Sequence, residues 1–192
     1  MKSNKPTADA RLATRRANRH RPPAARLKRV RILLCDVDGV LTDASVFIGG
    51  AREVKRFNIQ DGLGLVLLRR AGIKVGWISS RPSPATRLRA EELKIDFLVQ
   101  QKNGKVAAVE RILARAGFTW AQVCYMGDDV VDLGALKRAG LAVAVANSVA
   151  EVRTAAHYVT KAKGGCGAVR EVVEMILKAR NRWAGLIAGY AA

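Results

Sequence analysis

Two clusters of carboxylates in the 192-residue sequence have the spacing of reactive groups. The first, Asp36-Val37-Asp38-Gly39-Val40-Leu41-Thr42-Asp43, follows the apolar run at 30–35 (VRILLC) without a break. Side chains two apart on an extended chain share one side, so Asp36 and Asp38 crowd together. Two such carboxylates repel unless a cation lies between them or one keeps its proton, and the pair therefore implies a metal site, an acid–base couple, or both. A calcium loop is excluded, because it needs glycine at its sixth position and a bidentate glutamate at its twelfth, whereas Gly39 is fourth here.

The second cluster, Tyr125-Met126-Gly127-Asp128-Asp129-Val130-Val131-Asp132, also stands directly behind an apolar run. An aspartate at a helix start is common as a cap, which accounts for one of these acids but not for three beside another acidic strand end. Carboxylates gathered from two strand ends supply the oxygen ligands that Mg²⁺ prefers and leave positions for water and phosphate.

Such convergence requires parallel strands. Short β-branched runs at 30–35, 73–78, 96–99, 123–126 and 141–145 alternate with amphipathic stretches at 61–70, 83–94, 102–116 and 129–139, with a last helix at 168–180. That order predicts βαβ units and an α/β, Rossmann-like parallel sheet flanked by helices, which binds ligands at the carboxyl ends of its strands. Residues 45–58 break the alternation, with β-like runs on both sides of Gly49-Gly50, and predict a small hairpin flap.

Thirty-four Lys and Arg against sixteen Asp and Glu give a net charge of +18. Residues 1–29 hold ten basic side chains and one acid, Asp9, hence half of that excess. With so few large apolar groups, this stretch is expected to be a mobile basic extension ahead of one domain at 30–192. The 49% hydrophobic content excludes wholesale disorder, and no run approaches a membrane span of ~20 apolar residues. Cys35, Cys124 and Cys166 show no paired spacing, which points to a reducing cytoplasm.

DVDGVLTD, the strand ending in Ser79, a lysine near the start of a later helix, and GDDVVD together resemble the haloacid dehalogenase superfamily of phosphotransferases over about residues 30–178. Within it, FNIQDGLG, Ser79-Ser80-Arg81 and GGCGAVREV are similar to the family of 3-deoxy-D-manno-octulosonate 8-phosphate phosphatases of lipopolysaccharide synthesis. The resemblance implies that Asp36 attacks phosphorus to form an aspartyl-phosphate, with Asp38 as acid and then base. It implies Mg²⁺ held by Asp36, the Asp38 carbonyl and Asp128, and phosphoryl oxygens held by Ser79 and Lys105. Ser80 competes with Ser79, since the family's usual Thr-Gly-Arg is Ser-Ser-Arg here, and Lys102 competes with Lys105.

Substrate contacts implied in the same way are Asp38, Asn58, Ile59, Gln60, Asp61, Gly62, Arg81, Arg89, Lys105 and Asp129, the arginines being suited to a planar carboxylate. Only 17 residues separate Asp43 from Asp61, too few for a cap domain. The resemblance supplies the alternative, a homotetramer whose subunits complete one another's sites with the hairpin and the tail after Gly164, Gly165 and Gly167. A related phosphatase of sialic-type 9-phosphates and a basic nucleic-acid-binding protein on the same fold are the competing readings. The second rests on net charge alone, with no RNA-binding aromatic signature or zinc spacing behind it.

Overall fold

The computed structural model describes residues 22–47, 53–102 and 104–190. In chain order they form α1 (Ala24–Arg29), β1 (Ile32–Cys35), α2 (Ile59–Arg70), β2 (Lys74–Ser79), α3 (Pro84–Glu92), β3 (Phe97–Gln100) and α4 (Lys105–Ala116). There follow β4 (Val123–Gly127), α5 (Leu133–Leu136), β5 (Leu141–Ala144), α6 (Ala150–Ala155), β6 (Tyr158–Val159), α7 (Ala168–Ala179) and α8 (Trp183–Ala188). The strands make one parallel sheet in the order β3-β2-β1-β4-β5-β6. Connections run outward in opposite senses from β1 and β4, so the crevice between their carboxyl ends is the switch point of the sheet.

β1, β4 and β5 are buried along their whole length, as central strands covered on both faces must be. Alternation sends Leu33, Cys35, Val75, Trp77 and Met126 to one face and Ile32, Leu34, Ile78 and Tyr125 to the other. On the first face α7 lays down Val169, Val172, Val173, Ile176 and Leu177, a two-column stripe at helical spacing, against Leu65 and Leu68 of α2. α4 covers the second face with Ala108, Val109, Ile112 and Leu113. Each such aliphatic side chain contributes roughly 1.5–3 kcal/mol on burial, so the sheet ends are held on a rigid base.

All five expected strands form. β6 has two residues, too short to leave a periodic signal. The helix expected over 129–139 is broken into a 3₁₀ turn, Val130–Asp132, and the four-residue α5, because the Asp132 side chain accepts from the Asp128 and Asp129 amides and winds the chain tightly.

The boundary of the basic extension is also corrected. Residues 24–29 form α1, which packs on α7 with Leu27 only 1% exposed. Arg180 fastens this helix by donating to the carbonyls of Lys28, at 2.8 Å, and Val30. One anchoring leucine disappears when composition is averaged over 29 residues. Residues 1–21 lie outside the described residues, as does the Gly49-Gly50 turn of the expected flap; the flanks 45–47 and 53–58 have no strand pairing. Among the described residues no helix is long and apolar enough to cross a membrane.

Candidate active site

Asp36 follows directly on β1, and its amide still donates to the Met126 carbonyl of β4 at 2.9 Å. The chain then coils back, with the amides of Leu41 and Thr42 donating to the Val37 carbonyl at 2.9 and 3.1 Å. Gly39 makes this possible in two ways. Its φ of +97° is unfavourable for other residues, and a β-carbon there would collide with the Asp128 carboxylate arriving from β4. The two acidic strand ends therefore meet across the switch point.

Asp132 organises what lies between them. It is fully buried; one carboxylate oxygen accepts from Lys105 Nζ at 2.7 Å and the Tyr125 hydroxyl at 2.8 Å, the other from the amides of Asp128 at 3.1 Å and Asp129 at 3.4 Å. Lys105 Nζ is also 2.9 Å from Asp36 Oδ1. A lysine in the first turn of α4 faces the positive end of the helix dipole, an unfavourable place unless carboxylates offset it. Burial works against its charge, but Asp36 and Asp132 outweigh burial and hold its pKa above the ordinary value. Lys102, the competing lysine, is exposed.

The carboxylates outnumber the cation. Burial, and then the charge of Asp132, push Asp36 up to about 6 despite Lys105. Burial and the charges of Asp36 and Asp132 push Asp128 up to about 8. Asp36, Asp128 and Asp132 offer oxygens within 4.8 Å of one another, and Asp128 Oδ1 is buried with no hydrogen-bond partner among the described residues. With Asp132 saturated by donors, the unsatisfied oxygen of Asp128 beside Asp36 is where a hard cation fits this donor set.

Asp38 faces the same opening. Lys55 Nζ lies 2.6 Å from its Oδ1, and the Ser79 hydroxyl is 3.5 Å from its Oδ2. Ser79 sits at the carboxyl end of β2, buried, and is held by donating to the Arg81 carbonyl at 2.8 Å and accepting the Arg81 amide at 3.0 Å. Arg81 itself is half-exposed and pairs with Glu53. Sequence reasoning named neither Lys55 nor the role of Asp132. Asp132 was legible in GDDVVD, four residues after Asp128, whereas nothing in the run KRFN marks Lys55.

The other substrate candidates divide into exposed and structural positions. Asn58 caps α2, its side-chain oxygen accepting the Gln60 and Asp61 amides at 2.8 and 3.2 Å. Ile59 and Gln60 are exposed. The Arg89 guanidinium lies over Gly62, where a side chain would strike it, and Arg89 also pairs with Glu92 at 2.7 Å. Asp129 is exposed and caps the following 3₁₀ turn through the Val130 amide at 2.6 Å. Asp61 is buried; its two oxygens accept the amides of Arg170 at 2.7 Å and Gly167 at 3.2 Å, so it caps α7. The same loop backs the turn after β1, because the Gly165 amide donates to the Val40 carbonyl at 3.0 Å and a side chain at Gly164 would collide with the Gly39 carbonyl.

The chain is similar to known proteins. The haloacid dehalogenase-like hydrolase family matches residues 77–172. The 3-deoxy-D-manno-octulosonate 8-phosphate phosphatase of Yersinia pestis is 40% identical over 161 residues, 83% of this chain and 86% of that protein. A crystal structure of the Moraxella catarrhalis phosphatase of the same name, in complex with a magnesium ion, a phosphate ion and a KDO molecule, matches with a TM-score of 0.84 at 36% identity, covering 87% of this chain and 97% of that one. The cobalt-bound form from Haemophilus influenzae matches with a TM-score of 0.79 at 38% identity over 81% of this chain and 92% of its own. Shared identity over most of both chains, on top of two acidic strand ends at one switch point, means that the chain belongs to the haloacid dehalogenase-like hydrolases and, within them, to the 3-deoxy-D-manno-octulosonate 8-phosphate phosphatase family.

Proposed function

We propose that this chain is a Mg²⁺-dependent phosphatase that hydrolyses 3-deoxy-D-manno-octulosonate 8-phosphate to the free sugar acid and phosphate in lipopolysaccharide biosynthesis. The observation that carries the reading is the placement of Asp36, buried at the end of β1 with Lys105 at 2.9 Å and the partnerless Asp128 oxygen beside it. Mg²⁺ would be held by Asp36, Asp128 and the Asp38 main-chain carbonyl. Bound there, it offsets the charge on the phosphoryl oxygens and keeps both carboxylates ionised.

An Asp36 oxygen attacks phosphorus as the bond to the sugar oxygen breaks, and Asp38 delivers its proton to that oxygen. Water then attacks the aspartyl-phosphate while Asp38 takes its proton, releasing phosphate and restoring Asp36. Phosphoryl transfer depends mostly on positioning and on neutralising charge at the equatorial oxygens. Ser79 and Lys105 supply that, with Lys55 holding Asp38 from the other side. Arg81 and Arg89 bind the sugar acid beside Asn58, Ile59, Gln60, Gly62 and Asp129, and Asp61 acts from behind by fixing α7.

The exposed Val46, Phe47 and Val54 on the flanks of the proposed flap support a homotetramer in which neighbouring subunits cover the open site. The free thiols of Cys35, Cys124 and Cys166 support a cytoplasmic setting. Phosphate release from a panel of eight- and nine-carbon sugar-acid phosphates, with and without chelator, tests the assignment. The 8-phosphate turned over only with metal, and lost in Asp36→Asn, is the expected result. Preferential turnover of a nine-carbon substrate overturns the substrate, and turnover in Asp36→Asn overturns the covalent mechanism.

A further inference from the structure

The amino edge of the sheet carries a recess with a chemistry unlike that of the acidic edge. It is an open pocket of about 580 Å³ in which α1 meets the loops entering β4, β5 and β6. β4 has five residues, so the recess lies on the order of 16 Å from Asp128 along the strand. Its floor is tight: the Gly140 amide donates to the Trp120 carbonyl at 2.8 Å, and a β-carbon at Gly140 would collide with the Ala121 carbonyl.

Arg26, Arg29, Lys137, Arg138 and His157 line it, and no carboxylate among the described residues does. None of the four cations forms an ion pair among the described residues. Among the described residues Arg138 donates one bond, to the Gly134 carbonyl at 2.9 Å, whereas Arg26 has a guanidinium nitrogen shielded from solvent and without a partner. The His157 ring is fixed, since Nδ1 accepts the Ala142 amide at 2.8 Å, leaving Nε2 to carry the proton of the neutral ring. Burial, and then the charge of Arg26, keep that ring below its ordinary pKa.

Like charges gathered in a concavity repel one another and focus a positive field there. An unpartnered buried donor adds a cost that only an acceptor removes. Both are relieved by one kind of occupant, and the volume falls in the range of small-molecule pockets of about 300–1,000 Å³. We propose that this recess is a second anion site, which takes the oligophosphate group of a small ligand through Arg26, Arg29, Lys137, Arg138 and His157. Its concave shape distinguishes it from the extended groove that a nucleic-acid backbone requires.

Calorimetric titration of the full chain with inorganic tripolyphosphate, at fixed free Mg²⁺, tests the site. Saturable binding is expected, weakened at least roughly tenfold by Arg26→Gln and by Lys137→Glu, each replacing a charge-assisted contact. Lys137 is exposed, so its reversal leaves the fold intact should the Arg26 variant melt early, and phosphatase activity is expected to stay unchanged in both. An ATP arm separates the sources: equal affinity assigns binding to the phosphate chain alone, and tighter binding to the nucleotide as a whole. The proposal is overturned if tripolyphosphate does not saturate, if both variants bind as the parent does, or if a single-stranded oligonucleotide binds where tripolyphosphate does not.

Discussion

Lys55 Nζ stands 2.6 Å from Asp38 Oδ1, with 3% of the lysine side chain exposed against 30% of the aspartate. The lysine comes from the segment before α2 and the aspartate from the turn after β1, so this one contact ties the rim of the opening to the residue proposed to move the proton. Lys55→Met is expected to lower kcat/KM by roughly ten- to a hundredfold, the worth of a charged hydrogen bond. Lys55→Arg should restore part of it. Steady-state kinetics settle the point, and a loss below threefold would show that the pair is incidental.

Replacing Asp36 with Asn should abolish both turnover and the phosphorylated protein captured by rapid acid quench, with melting behaviour retained. Acid-quenched Asp36→Asn protein that still carries phosphate would move the nucleophile elsewhere.

Acidity and metal oppose each other at this site. Asp36 and Asp128 are raised from 3.8 to about 6 and about 8, so above pH 4 the folded chain holds protons that the unfolded chain has lost. Stability without metal therefore falls as pH rises from about 4 to 8. Calorimetric melting in chelator is expected to show that decline, and added Mg²⁺ should raise the midpoint more at pH 8 than at pH 5, where it competes with bound protons. Asp128→Asn should flatten the decline and lose most of the Mg²⁺ effect. A metal-free profile that rises over this window would contradict the crowding of these carboxylates.

Asp61→Ala removes both acceptors from the amino terminus of α7. The expected cost is about 1–2 kcal/mol in urea unfolding, with Asp61→Asn milder because one acceptor oxygen remains. If KM alone changes and stability does not, Asp61 touches substrate instead.

Legibility in the sequence followed chain distance. The strands and the two acidic clusters are written in short runs, where periodicity and spacing act within a few residues, whereas Lys105 comes from the family resemblance, with Lys102 in competition. Lys55 meets Asp38 across 17 positions and Asp61 meets Arg170 across 109, and no local pattern records such pairings. Asp61 sits in a motif, NIQDG, whose exposed members suggest substrate contact, while its own side chain turns inward to a helix far along the chain. α1 escaped for the opposite reason, a single buried leucine among many charges.

The turn that carries Asp36 leans on a loop made more than a hundred residues later. Gly164 presses against the Gly39 carbonyl, Gly165 donates to Val40, and Asp61 waits for the amides of Gly167 and Arg170. The bed under the proposed nucleophile is thus supplied by residues 164–170, and it cannot form until that stretch of chain is present. A chain ending before Gly164 would lack both this support and α7, the helix that covers the first face of the sheet, so the site and its fold stand or fall together.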